Sequence, residues 1–208
     1  KTQVVYNQNG VKIISFPAVH IYDGPVSLRL EWNDLSFVYS GDTTPSQIFI
    51  DNAKGADVVV HETFNTVEQL MDRSGYDERT ARAIGTYIHS APEEAGVVLK
   101  EVNPRLAIIF HFFNDFDTAP EIQERVRQHY QGPLALATDF MVVNVTKDQI
   151  ITRMAEISNH VWPNKSRHEG FGEAERKPMM QMSDWLKETQ LFPKEPSERG
   201  LIYKGGGN

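Results

Sequence analysis

Cysteine is absent from the 208 residues, which excludes disulfides, zinc fingers, thiolate nucleophiles and cysteine-ligated clusters. Any metal must be held by His, Asp or Glu. No apolar run reaches the roughly 18 residues of a membrane span, and no internal repeat or signal-peptide pattern is present. The chain therefore reads as soluble, without distinguishing cytoplasm from periplasm. Positive charge is in deficit, 21 Lys and Arg against 28 Asp and Glu for a net −7. That balance argues against a surface built to blanket nucleic-acid phosphates. The first residue is Lys1 rather than methionine, so the chain reads as a processed protein or a piece of a longer one.

Forty per cent hydrophobic and 24% charged residues are ordinary for a globular protein of one or two domains. The first 40 positions read as β: Val4–Tyr6, a turn at Asn9-Gly10, then Val11–Phe16, Ser27–Trp32, a turn at Asn33-Asp34, and Leu35–Tyr39. The pattern then changes. A short helix over 48–53 precedes a buried strand at Ala56–Val60, and Leu106–Phe110 reads as another. Between them, 65–88 is helical or irregular. Ser90-Ala91-Pro92-Glu93 reads as a capping box opening a helix to about Glu101. Pro120–Tyr130 is amphipathic, and Leu134–Ala137 and Met141–Val145 are short strands. Such alternation implies an α/β layer architecture. From 153 the composition turns irregular, with Trp162, Phe171, Trp185 and Phe192 among Pro163, Pro178, Pro193 and Pro196. The expected organisation is a domain over 1–152 and a C-terminal extension over 153–208, with Met182–Thr189 as its best helix and a frayed tail at 205–208.

Chemistry-bearing residues gather where strands stop. Phe37–Tyr39 leads into Ser40-Gly41-Asp42-Thr43, Val58–Val60 into His61-Glu62-Thr63-Phe64, and Leu106–Phe110 into His111, while His20 follows Val19. The C-terminal edge of an α/β sheet is where such folds carry their sites. Imidazoles and carboxylates together suit zinc, manganese or iron(II). Alternatives remain: Asp42 can equally cap the helix after Pro45, and His61 can serve the strand end alone. His129, His160 and His168 fall on a helix or in the extension and read as non-catalytic.

Five segments in order, Phe16–His20, Ser40–Ser46, Val60–Phe64, His89–Ala95 and Ile109–Phe112, resemble the metallo-β-lactamase superfamily. The branch they resemble holds ribonuclease Z and its phosphodiesterase and arylsulfatase relatives. The resemblance covers roughly residues 4–152. It implies a metallo-β-lactamase-like αβ/βα sandwich, of which the chain supplies the second half, because the family's HxHxDH signature is absent from the sequence. It further implies two divalent metals, zinc ahead of manganese or iron. His20 would be a ligand of one, His111 of the other, and Asp42 the bridge between them. Glu62 and His89 match the pair that protonates the leaving oxygen, a carboxylate charging an imidazole.

The implied activity is hydrolysis of a phosphodiester, sulfate ester or other small ester by a dinuclear-metal-activated water, in a longer parent chain supplying the remaining ligands. Ala91-Pro92 stands where a ribonuclease Z has Thr, and no basic arm is visible. With the net charge, these favour a small-molecule ester over tRNA. The expected partners are a second copy or the first half of the fold, with no membrane. The alternative is a catalytically degenerate module acting in binding or assembly.

Overall fold

A computed structural model describes residues 1–155 and 182–191. Trp162, Phe171, Phe192, His160, His168, the four extension prolines and the tail lie outside the described residues.

Seven strands form one mixed sheet in sequence order. β1 (Gln3–Gln8), β2 (Val11–Pro17), β3 (Val26–Trp32) and β4 (Leu35–Tyr39) run antiparallel. Their turns fall at Asn9-Gly10 and Asn33-Asp34, whose positive φ angles suit two-residue hairpin connections. From β4 the sheet continues in parallel through β5 (Val58–Glu62), β6 (Leu106–Phe110) and β7 (Leu134–Leu136). The crossovers are helical: α1 (Gln47–Ala53) before β5, then α2 (Val67–Ser74), α3 (Glu78–Arg82), a π-helical segment Ala83–Ile88 and α4 (Pro92–Val102) before β6, and α5 (Ala119–Arg127) before β7. The expected α/β class is what the structure shows.

Strand alternation sends side chains to two faces. Phe16, Val38, Val59, Ala107 and Ile109 meet Phe49 and Ile50 of α1, Val98 and Leu99 of α4 and Ile122 and Val126 of α5, forming the main core. Gly96 lets α4 and α5 approach, since a Cβ there would stand 2.5 Å from the Val126 carbonyl oxygen. On the opposite face, Val58, Leu106 and Ile108 pack under a separate hairpin of β8 (Met141–Val145) and β9 (Ile150–Met154), against Val143, Val145 and Ile150.

Three local expectations are corrected. The strand after α1 runs to Glu62 rather than stopping at Val60, because His61 and Glu62 still pair with Ile109 and Phe110. The helix after His89 is capped one residue later than expected: Ala91 is the N-cap and donates its N–H to Glu94 Oε2 at 3.0 Å, while Ser90 Oγ donates to the Thr43 carbonyl at 2.7 Å. β9 is a strand the sequence did not suggest. The helix expected near 182–189 is present as α6 (Asp184–Glu188), with Leu186 buried. Its following residues bond to the turn before α1: Gln47 N–H donates to Thr189 O at 2.5 Å, Leu191 N–H to Pro45 O at 3.1 Å, and Gln190 Nε2 to Thr44 Oγ1 at 3.3 Å. No helix among the described residues is long and apolar enough to cross a membrane.

Candidate functional site

The parallel register sets β4, β5 and β6 side by side, with Tyr39 opposite Val60 and Glu62 opposite Phe110. Everything that follows these strand ends converges on one edge. Gly41 makes the first turn: its φ is +62°, and a Cβ would stand 2.8 Å from Val26 O, so only glycine fits. Asp42 comes next, half-buried. It does not cap the helix after Pro45; that N-cap is Ser46, whose side chain accepts from Phe49 N–H at 3.3 Å. The capping alternative for Asp42 is thereby removed.

Thr43 ties the loops together. Its N–H donates to Glu62 Oε1 at 2.7 Å, its Oγ1 accepts from Val19 N–H at 3.0 Å, and its carbonyl accepts from Ser90 Oγ. The segments carrying His20, Asp42, Glu62 and His89 are thus bonded to one residue or its neighbours. Nothing in the sequence singled Thr43 out, because its role depends on contacts 19 to 47 positions away.

Glu62 is fully buried. Its Oε1 stands 3.1 Å from His89 Nδ1, and its Oε2 stands 3.7 Å from His111 Nδ1. Burial pushes its carboxyl up, but the two imidazoles and the Thr43 amide outweigh that and hold it below the ordinary carboxylate range. His111 follows β6 with φ +77°, a left-handed conformation costly for a residue with a Cβ, which aims its ring across the strand ends. Its Nδ1 lies 3.3 Å from Asp42 Oδ1. The Glu62 carboxylate raises its pKa, burial opposes this, and Asp42 adds to the rise.

One ligand-capable atom from each of Asp42, His89 and His111 falls within 4.8 Å of the other two. His20 stands beside this trio: its ring is 4.9 Å from that of His89, and its Nδ1 lies 2.9 Å from Ile88 O, leaving Nε2 for any other partner. The structure therefore gathers all five singled-out residues, with His20 at the margin. His61 turns the other way, fully buried edge-on against Phe49 with Nδ1 on Glu62 O, and burial lowers its pKa. It serves the strand end. His129 lies just beyond α5.

Two aromatic features went unread in the sequence. Phe64 stacks on His89 with centroids 4.4 Å apart and meets His111 edge-on at 5.1 Å. Tyr39 stacks on Phe110 at 5.2 Å; burial raises its hydroxyl pKa, and the carboxylates of Asp42 and Glu62 add to that. Phe64 sat inside a motif already noted, but stacking partners 25 and more positions away leave no local pattern.

The residues fit a divalent metal. Glu62 Oε2 and His111 Nδ1 are buried without a hydrogen-bond partner, an expensive state that a cation among them relieves. Mixed carboxylate and imidazole donors suit zinc, manganese or iron.

Ribonuclease Z of Myxococcus xanthus (strain DK1622) is 34% identical over 110 residues, 52% of this chain and 32% of that protein. Ribonuclease Z of Bacillus subtilis (strain 168) is 32% identical over 115 residues, 54% of this chain and 33% of that protein. The chain thus spans about a third of the length of the curated relatives it matches. Among solved structures, the metallo-β-lactamase fold protein YhfI from Bacillus subtilis aligns with 65% of this chain and 49% of its own, at TM-score 0.49 and 18% identity. Human tRNase Z, short form, aligns with 70% and 47%, at TM-score 0.46 and 15% identity. No protein-family model matches the sequence. The ribonuclease Z relatives bear out the resemblance read from the five segments.

They also correct one expectation. The net charge of −7 favoured a small ester and counted against tRNA, yet the relatives are ribonucleases by name. Net charge sums over a whole surface and does not report the local potential at one site. The small-ester reading does not stand.

Proposed function

We propose, on the premise of this kinship with ribonuclease Z and the metallo-β-lactamase superfamily, that the protein is a metal-dependent hydrolase cleaving an RNA phosphodiester. One observation carries the reading. A fully buried carboxylate, Glu62, holds His89 Nδ1 at 3.1 Å directly beside the Asp42–His111 pair.

Asp42, His111 and His20 would hold divalent metal, zinc first and manganese or iron by the same donor set. When bound, the metal supplies charge neutralisation at the phosphate and activation of a water. The chain's own residues handle the proton. With Glu62 ionised, His89 carries its proton on Nδ1, and Nε2 is left as the nitrogen that delivers one to the departing alkoxide. Glu62 stabilises the imidazolium before transfer. It is itself fixed by the Thr43 amide, so the pair is preorganised rather than assembled on binding. Low exposure of His89 and Glu62 keeps bulk water from competing for that proton.

The test uses the protein in its natural sequence context. Metal content is measured by emission spectroscopy after reconstitution, and cleavage of tRNA is followed with and without chelator. The expected result is stoichiometric transition metal and chelator-sensitive cleavage. Less than about one equivalent of metal, with the RNA left intact, overturns the reading in favour of a binding or assembly module.

A further inference from the structure

We infer that Phe64 is a positioning residue for His89, setting the ring plane of the proton donor. The inference rests on the proposed role of His89. A hydrogen bond from Nδ1 to Glu62 fixes one atom of an imidazole but not its plane, because the outer torsion of a histidine side chain is broad and roughly two-fold. A second constraint is needed, and among the three rings that meet His89 only Phe64 lies face to face with it, those of His20 and His111 standing tilted and edge-on at 4.9 Å. Phe64 lies nearly parallel to His89, with 4.4 Å between centroids and 16° between planes. The same ring meets His111 at 67°. One side chain therefore fixes both imidazoles that flank Glu62.

Phe64 is placed for this by the backbone. It comes two residues after Glu62, and its N–H donates to Ser90 O at 2.8 Å, the residue after His89. The donor, its carboxylate and the flat surface beneath the donor thus share one short stretch of hydrogen-bonded chain. An aliphatic side chain of similar volume fills the same space without defining a plane. Flipping the His89 ring would exchange Nδ1 for a carbon at Glu62 and turn the delivering nitrogen out of the site. Stacking on Phe64 together with the Glu62 bond leaves one orientation in which both contacts are met.

The experiment compares the wild type with Phe64→Leu, Phe64→Met and Phe64→Tyr, each first checked for a cooperative thermal transition. The tautomer of His89 is read from long-range 15N–1H correlations in metal-free protein at one fixed pH. The wild type and Phe64→Tyr should show a single Nδ1–H form, and Phe64→Leu and Phe64→Met a mixture of both. Kinetically, kcat for RNA should fall about tenfold in Phe64→Leu and Phe64→Met with KM unchanged, and recover in Phe64→Tyr. Turnover of bis-p-nitrophenyl phosphate, whose leaving group needs no proton, should barely change. A single unaltered tautomer in Phe64→Leu and Phe64→Met overturns the inference, as does equal slowing of both substrates. The tautomer measurement decides the point even where wild-type protein cleaves no RNA, a result that instead overturns the proposed function.

Discussion

Asp42 and Ser46 lie four positions apart in one loop and do unrelated work. Ser46 caps α1 and is fully buried; Asp42 faces His111 at 3.3 Å and caps nothing. Asp42→Ala should therefore abolish retention of at least one metal and nearly all RNA cleavage, with little change in Tm. Ser46→Ala should cost about 1 kcal/mol, seen as a Tm lower by about 2–4 °C, with metal content retained. Metal stoichiometry and Tm measured on the same two samples decide the matter, and reversed outcomes would refute the assignment. His89→Ala makes a third pattern: metal kept, RNA turnover down by about two to four orders, and nitrophenyl ester turnover much less affected. At this scale the sequence was informative because chemistry-bearing side chains stood at strand ends, which read locally as a run of β-branched residues followed by a polar one. Thr43 and Phe64 escaped notice because a backbone amide and a stacking face have no signature until distant loops meet.

At the level of elements, hydrophobic period and turn residues were enough to locate β1 to β8 and α1, α4, α5 and α6 to within a few positions, while α2, α3 and the π-helical segment were read only as a helical or irregular stretch over 65–88. They failed where tertiary pairing extended or displaced a local preference. β5 gains His61 and Glu62 because β6 offers partners, and Ser90 forgoes its cap because the Thr43 carbonyl is nearer at hand. β9 was illegible: Thr152 and Arg153 interrupt its apolar character, and it forms by pairing with β8. The start of β5 carries a testable link. Asp57 accepts from Ser36 N–H and from Arg105 Nη1, both at 2.8 Å, and Arg105 also donates to Thr146 O in the β8–β9 turn. Burial raises the Asp57 carboxyl, but the guanidinium and the Ser36 donors outweigh it and hold it below its usual 3.8. A folded pKa depressed in this way adds stability that is fully present above the unfolded value and is lost as pH falls through the folded one. The Tm difference between wild type and Asp57→Asn should thus be greatest at neutral pH and shrink below about pH 4. A difference constant across that range would sink the link.

In the molecule as a whole, among the described residues, α1, α4 and α5 lie on one face of the seven-stranded sheet and a hairpin on part of the other. Its candidate site lies along one edge, and charge summed over the surface says little about that edge. The edge is closed by a contact of long range: Gln190 reaches Thr44 across 146 positions, alongside the bonds from Leu191 to Pro45 and from Gln47 to Thr189. Ending the chain after Gln181 should leave the sheet's amides and that of Thr44, which donates to Val19 O, protected from hydrogen exchange, while that of Gln47, which donates to Thr189 O, exchanges faster. Unchanged protection there would show that the segment is dispensable.

That clasp also imposes an order in time. Synthesis proceeds from the N-terminus at about 5–20 residues per second, so the last strand of the sheet, β7, is made seconds before Thr189–Leu191. Until then, the turn between Asp42 and α1 lacks its last bonds. A nascent chain stalled before that point would hold a folded core with an unfinished loop beside Asp42, so completion of the candidate site waits on a segment 146 positions further along.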